Sequence, residues 1–194
     1  QEDPITEAMT AKGYDPNIQI PAIMAAYRTP SMKTRDSRVL DMISSYLSTG
    51  RSSVLYKKLV DEKKMALQAG AINASQEDYG TYILYGLPQG ETKLEDIIAE
   101  IDEEIVKMQT DLISEKDFQK LKNQFENNFV NSNSSVEGIA SSLATFNVLY
   151  GDTNLINTEI DIFRSITREE IRDVAKKYLN PNQRLTLEYL PEAK

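Results

Sequence analysis

The sequence predicts an α+β fold, a two-layer sandwich in which an antiparallel sheet is covered on one face by helices. Segments typical of strands are few and lie near the start of the chain, in one hairpin and at the very end. Apolar residues recur with helical spacing through most of the remainder. A chain of 194 residues suits one domain. We therefore expect a linker or N-terminal extension over residues 1–15 and a single domain over residues 16–194.

Side-chain alternation and turn residues predict the strands. Residues 17–27 alternate apolar and polar side chains before a more apolar run, and Pro21, which has no amide donor, indicates an edge or a bulge. Residues 65–74 and 79–87 are separated by a polar turn, which predicts an antiparallel hairpin. Residues 185–190 alternate again and form the last predicted strand.

Capping residues and apolar spacing predict two helices before the hairpin. Asp36 or Ser37 can cap the first helix, and Gly50 suits its end because glycine readily adopts the left-handed backbone found there. Ser52 or Ser53 can then cap the second helix. The apolar positions are Val39, Leu40, Ile43 and Leu47 in the first helix and Val54, Leu55, Leu59 and Val60 in the second.

Further helices follow the hairpin. Three pairs indicate where helices start: Thr92 with Glu95, Ser114 with Asp117, and Thr167 with Glu170. A helix from Ser114 to Tyr150 would be about 55 Å long, which is too long for a compact domain of this size. We expect a break at residues 131–135, which are poor helix formers, and an end at Gly151.

Composition argues against two classes of function. The net charge of −8 is unfavourable for nucleic-acid binding, which needs concentrated lysine and arginine. The longest uninterrupted apolar run, residues 22–27, is far shorter than the ~20 residues of a transmembrane helix. We therefore predict no nucleic-acid partner and no transmembrane segment.

Two charged clusters have alternative interpretations. The acidic one, on the helix near residue 100, is interpreted as a solvated face rather than a metal site. The basic one, after Gly50, is interpreted as a solvated surface, with an anion-binding patch as the alternative. The acidic cluster is Glu95, Asp96, Glu100, Asp102, Glu103 and Glu104, and the basic cluster is Arg51, Lys57, Lys58, Lys63 and Lys64.

The chain contains no histidine and no cysteine. Imidazole and thiolate are the usual zinc ligands, whereas carboxylates alone are better suited to calcium or magnesium. No glycine-rich phosphate loop is present either. We predict no catalytic, cofactor-binding or metal-ligating residue in this chain.

Residues 49–71 read TGRSSVLYKKLVDEKKMALQAGA. The order of a helix end at Gly50, Arg-Ser-Ser, Leu-Tyr-x-x-Leu-Val, Glu-Lys and a strand resembles the C-terminal-type domain of the M16 family, the insulinase or pitrilysin-like zinc peptidases. Segments 114–118, 135–140 and 166–181 extend the resemblance, which covers about residue 19 to residue 191. The family's fold agrees with the α+β prediction.

The resemblance implies a non-catalytic role. M16 catalysis depends on a His-x-x-Glu-His motif, and a chain without histidine resembles the inactive half of such a peptidase. Zinc is then expected on a homologous M16 domain that carries the motif, in the same chain or in a partner subunit, and the substrate is expected to be a peptide. The resemblance also favours the bacterial periplasm or cell envelope.

Two residues bear on accessory catalysis. Active relatives place an arginine and a tyrosine in the segment Arg-Glu-Lys-Gly-Leu-Ala-Tyr, where they bind the substrate backbone or stabilise the oxyanion. Aligned on Glu62-Lys63, these positions fall at Asp61 and Leu67. A carboxylate would repel an oxyanion, and leucine has no donor. The resemblance thus implies a domain that forms the wall of a peptide-binding chamber. The alternative is a pseudo-peptidase interaction or scaffold module with no proteolytic role.

Overall fold

Five strands form one sheet in the order β1-β5-β2-β4-β3 in the computed structural model, which describes residues 5–192. The strands are β1 (Met9–Asp15), β2 (Ala22–Pro30), β3 (Ala66–Ala74), β4 (Tyr79–Pro88) and β5 (Leu185–Pro191). β2 pairs antiparallel with β4 and β5, and β3 pairs antiparallel with β4, which confirms the hairpin. β1 and β5 are parallel, so the sheet is mixed at this edge rather than wholly antiparallel.

Helices fill most of the remaining described chain. The α-helices are α1 (Arg35–Ser48), α2 (Leu94–Thr110), α3 (Glu115–Ser132), α4 (Val136–Thr145), α5 (Leu155–Ser165) and α6 (Arg168–Tyr178). A π-helical segment, Tyr56–Glu62, follows α1, and a π-helical turn, Phe146–Tyr150, continues α4. The predicted break between α3 and α4 is confirmed, and Gly151 ends the second helix with a left-handed φ of 74°.

The core lies between the sheet and one layer of helices, as the α+β prediction requires. Buried and partly buried positions alternate along β2 and β4. The buried side chains, which include Ile23, Tyr27 and Leu84, face the helices. Gly86 lies on this face, where a β-carbon would be only 2.4 Å from Ile97 Cγ2 of α2. Glycine therefore permits close packing of α2 on the sheet.

The opposite face of the sheet, which we call the outer face, is apolar and only partly buried. It carries alternate residues of the strands, as the register pairs of β2 with its two neighbours show. Its members include Met24, Ala26, Ile72, Ile83, Tyr85, Leu185 and Leu187. Ile72 is 49% exposed, whereas the alternate positions of β2 and β4 on the inner face are nearly all buried. The two-layer arrangement therefore leaves one side of the sheet open.

β1 corrects the prediction of a linker over residues 1–15, since Met9–Asp15 is an edge strand. Its side chains are mostly exposed, and backbone hydrogen bonds hold it: Met9 N donates to Arg184 O (2.9 Å), and Glu192 N donates to Asp15 O (3.2 Å). A solvated edge strand shows little apolar alternation, so residues 9–15 carry no pattern that predicts a strand. Residues 1–4 of the predicted linker lie outside the described residues, and the extent of the domain stays a prediction.

Several predicted caps differ from the observed ones. Thr34 caps α1 by accepting from Ser37 N, so neither Asp36 nor Ser37 is the cap. α2 begins after Lys93 without a side-chain cap, because the Thr92 hydroxyl donates to the Gln89 carbonyl instead. The starts of α3 and α6 are confirmed, with Ser114 Oγ accepting from Asp117 N and a complete capping box between Thr167 and Glu170. β2 also starts later than predicted, at Ala22.

Candidate functional site

The π-helical segment is the part of the chain on which the resemblance chiefly rests. Gly50, with a φ of 77°, ends the turn after α1, and Leu55 and Leu59 are fully buried, as their spacing predicted. The predicted serine cap does not form. Ser52 Oγ accepts a hydrogen bond from Lys120 Nζ, and Ser53 Oγ has no hydrogen-bond partner in the described part of the chain.

Lys58 joins the π-helical segment to α2. Its ammonium nitrogen lies 2.9 Å from Glu100, 2.8 Å from Glu103 and 2.9 Å from Glu104, and its side chain is 13% exposed. Burial disfavours the charged form, but the three hydrogen bonds outweigh it and raise the pKa of Lys58. Four of the six acidic residues are therefore in ion pairs, three with Lys58 and Asp102 with Arg184, whereas the sequence predicted a solvated face.

The donors in this chain do not fit a zinc ion. In residues 5–192, no group of three or more Asp, Glu, His or Cys side chains is placed to hold a metal. Three glutamates do converge, but the Lys58 ammonium already lies among them. Zinc sites also depend on imidazole or thiolate, which the sequence lacks.

Asp61 and Leu67 lie on the surface beside the start of β3. Asp61 is exposed on the π-helical segment. Leu67 is 50% exposed at a β-bulge, because the register with β4 shifts between Ala66 and Gln68. It borders a shallow surface that also includes Ile20 and Pro88. That these two residues occupy the family's arginine and tyrosine positions stays a prediction.

A buried charge pair that the sequence did not predict joins α1 to α5. Arg38 donates from Nε and a terminal nitrogen to the two carboxylate oxygens of Glu159, at 2.7 and 2.8 Å. Its other terminal nitrogen donates to the carbonyls of Lys33 and Thr34 at the start of the helix. The Arg38 and Glu159 side chains are 7% and 11% exposed. The two residues are 121 positions apart in the sequence. What could have indicated the pair is that Arg38 and Glu159 each lie among apolar residues of a helix.

Asp41 lies one turn further along α1. Burial raises the pKa of its carboxyl to about 6, although Asn73 Nδ2 donates to it at 2.8 Å and the nearby Arg38 charge opposes the shift. Such a shift is common at catalytic sites, but it also arises within structural networks. The Arg38 charge is already neutralised by Glu159. The surroundings of Asp41 are therefore those of a structural network, with an amide donor on one side and a neutralised arginine on the other.

α4 presents apolar side chains to solvent, which its sequence pattern did not predict. None of its residues is buried. The exposed fraction is 87% for Val136, 40% for Ile139 and 37% for Leu143, and Val148 in the following π-helical turn is 71% exposed. Exposed apolar patches of this kind mark interaction surfaces. No helix in residues 5–192 has the length and apolar character of a membrane span.

Comparison with known proteins agrees with this fold. The family model of the "Peptidase M16 inactive domain" matches residues 3–125. The curated zinc protease PqqE of Helicobacter pylori is 26% identical over 183 residues, which are 93% of this chain and 40% of that protein. The chain thus spans less than half the length of this relative.

Two crystal structures share the fold. A protease from Helicobacter pylori superposes with a TM-score of 0.90 at 24% identity, over 98% of this chain and 46% of that chain. A peptidase M16 inactive domain from Pseudomonas fluorescens superposes with a TM-score of 0.82 at 12% identity, over 96% of this chain and 44% of that chain.

Proposed function

Because the chain belongs to the M16 peptidase family as its inactive domain, we propose that it forms part of the wall of a peptide-binding chamber. A homologous partner domain with the His-x-x-Glu-His motif would hold zinc and carry out hydrolysis, in the same chain or in another subunit. The observation that carries this proposal is the pair of exposed apolar surfaces, α4 and the outer face of the sheet, in a domain whose donors do not fit zinc.

The two apolar surfaces support a partner domain of similar fold. A helix with no buried residue contributes little to the core of its own domain, so its apolar side chains suit contact with another surface. The outer face offers complementary aliphatic and aromatic side chains, including Ile83 and Tyr85. The two Helicobacter pylori relatives are more than twice as long as this chain, which is consistent with a second domain.

The edges of the sheet suggest where an extended peptide would bind. At β3 the Ala71 carbonyl already accepts a hydrogen bond from Ser48 Oγ of α1, so this edge is partly covered. At β1, Met9 N bonds to β5, so alternation directs the backbone groups of Thr10 and Lys12 away from β5, towards the open side of the edge. A peptide could extend the sheet there by strand addition.

The test uses this chain and the M16 domain with the zinc motif from the same source. Alone, the chain is expected to hydrolyse no peptide and to bind zinc weakly. Together with the second domain, it is expected to form a complex and to increase zinc-dependent cleavage of an unstructured peptide. Zinc-dependent cleavage that persists in the extensively purified chain alone would contradict the proposal.

A matched pair of α4 variants makes this test specific. Val136→Asp places a charge on a side chain that is 87% exposed, so the free energy of unfolding should stay within about 0.5 kcal/mol of the parent value. Glu137→Gln alters an adjacent exposed residue and is the control. We expect the first variant to weaken the complex and the control to leave it intact. Equal affinities for both variants would exclude α4 from the interface.

A scaffold or interaction module without a proteolytic role is the second candidate. It is favoured by Asp61 and Leu67, since neither offers the donor that the family uses for oxyanion or backbone binding. Affinity purification of the native assembly separates the two candidates. An active zinc peptidase in the assembly supports the chamber-wall function, and a stable assembly without one supports the scaffold function.

A further inference from the structure

A small cavity lies where the end of α1, the loop after Gly50 and the first half of α3 meet. Its volume is about 90 Å³, room for a small ion or a few water molecules. Its lining is rich in hydroxyl and ammonium groups. The polar residues are Ser45, Tyr46, Thr49, Ser52, Ser53, Lys57, Asp117, Lys120 and Gln124.

Ser53 is the first indication of a ligand. The residue is 4% exposed, and its hydroxyl oxygen has no hydrogen-bond partner within residues 5–192. Buried polar groups are almost always paired, because an unpaired one loses its hydration without compensation. The expected role of Ser53 as a helix cap is not fulfilled, so capping does not explain the hydroxyl.

The lysines that line the cavity are the second, independent indication. Lys58 and Lys63 of the same basic cluster are bound by glutamates of α2. Lys57 and Lys120 form no ion pair among the described residues, although the protein carries a net charge of −8. Lys120 Nζ instead donates to Ser52 Oγ at the rim of the cavity.

One acidic group also borders the cavity. The Asp117 carboxylate accepts a hydrogen bond from Ser114 Oγ at 2.6 Å, at the start of α3. Its charge opposes an anion, but two ammonium groups outnumber it. Arg51 is exposed in the preceding loop and adds a further positive charge close by.

We propose that this cavity binds a tetrahedral oxyanion, either inorganic phosphate or the phosphate of a monoester. Ser53, Lys57 and Lys120 line it from three parts of the chain, the loop, the π-helical segment and α3, and donors from several directions would suit a tetrahedral anion. Thr49 and Lys57 are exposed, so the cavity opens to solvent and can admit an ester group. Bound anion would join α1, α3 and the π-helical segment.

The experiment is an NMR titration of the 194-residue chain with sodium phosphate, with sodium chloride at equal ionic strength as the reference. We expect saturable shifts of the Ser53 and Lys57 amide signals that chloride does not produce. Lys57→Gln and Lys120→Gln should each weaken phosphate binding about tenfold. Lys176→Gln, an exposed lysine of α6 without an ion pair in the described chain, is the control and should leave the affinity unchanged.

Ser53→Ala separates ligand binding from a structural role. Without phosphate, this variant should melt at the same temperature as the parent chain or higher, because the hydroxyl has no partner to lose. With phosphate, it should bind more weakly. A marked loss of thermal stability in the absence of phosphate would overturn the proposal, as would an absence of phosphate-specific shifts or an equal effect of Lys176→Gln.

A parallel titration with O-phosphoserine distinguishes the two sources of the anion. Binding at least as tight as that of inorganic phosphate supports a monoester ligand. Binding of inorganic phosphate alone supports the free ion. Acetate at the same concentration should produce no saturable shift, and a response to acetate as strong as that to phosphate would contradict a site for tetrahedral anions.

Discussion

Replacing Glu159 by glutamine should destabilise the domain more than any single change at an exposed ion pair. The substitution keeps the shape of the side chain but removes the charge that neutralises Arg38. Two hydrogen bonds of 2.7 and 2.8 Å join the pair, and the side chains are 7% and 11% exposed. After the change, the guanidinium would keep its hydrogen bonds to the Lys33 and Thr34 carbonyls, and it would lose the one carboxylate to which it is hydrogen-bonded, with only the more distant Asp41 carboxyl nearby.

The expected magnitude follows from this burial. Removing one partner of a buried ion pair typically costs about 3–5 kcal/mol, because the other charge stays buried without compensation. A domain has a total stability of about 5–15 kcal/mol, so the loss would be a large fraction of the whole. Glu126→Gln is the matched control, since the Glu126 and Arg164 side chains are 41% and 50% exposed. Its cost should be about 0–1 kcal/mol.

Urea unfolding followed by circular dichroism measures both variants at constant pH and ionic strength. The double variant Arg38→Met/Glu159→Leu removes both charges and replaces them with apolar side chains. It should recover most of the loss, because apolar replacement of a buried pair is often neutral or stabilising. If Glu159→Gln costs no more than Glu126→Gln, the pair is not acting as a buried charge pair and the reasoning is refuted.

Three further predictions concern pH, a helix cap and a backbone conformation. The pKa of Asp41 is about 6 in the folded state against a usual 3.8, so the folded chain retains a proton that the unfolded chain releases. The contribution of Asp41 to stability should therefore fall as pH rises from about 4 to about 6, so the stability of Asp41→Asn relative to the parent chain should increase across that range in urea titrations; a constant difference would contradict the assignment. Ser114→Ala removes the N-terminal cap of α3 and should cost about 1 kcal/mol in the same assay, whereas Ser134→Ala, which removes only an exposed hydrogen bond to the Asn131 carbonyl, should cost less. Gly151→Ala should cost about 1–2 kcal/mol, because its φ is 74° and a β-carbon there meets no atom within 4 Å, which leaves backbone strain as the cause; a neutral result would refute that cause.

The sequence predicted elements whose signals are local. The capping box of Thr167 and Glu170 and the Ser114 cap formed as expected, because a cap and the amide that it binds are only three residues apart. The hairpin of β3 and β4 formed as expected because a short turn joins two strands that are neighbours in the sequence. At Thr92 the pattern failed, since its hydroxyl donates to the Gln89 carbonyl of the preceding turn. The Thr92 hydroxyl could either cap α2 or bond to the Gln89 carbonyl, and the sequence pattern alone does not show which of the two is favoured.

The candidate sites, unlike the caps and the hairpin, are formed by contacts between residues that are distant in the sequence. Arg38 and Glu159 are 121 residues apart, and Lys58 meets its glutamates across 42 or more residues. The cavity beside Ser53 exists only because α3 packs against the end of α1. Composition and periodicity carry no information about which charged residues meet after the chain folds.

The sequence by itself determined the chemistry that this chain lacks and most of its helices. Without histidine or cysteine it has no usual zinc ligand of its own, whatever its fold, because ligand type is a property of the residue. Helices follow from spacing and caps, which are local. The tertiary structure decided that Met9–Asp15 joins the sheet through its backbone, that half of the acidic cluster binds Lys58, and that α4 stays exposed. These outcomes depend on which surfaces meet, and burial and pairing are set by the packing of distant segments rather than by any one of them.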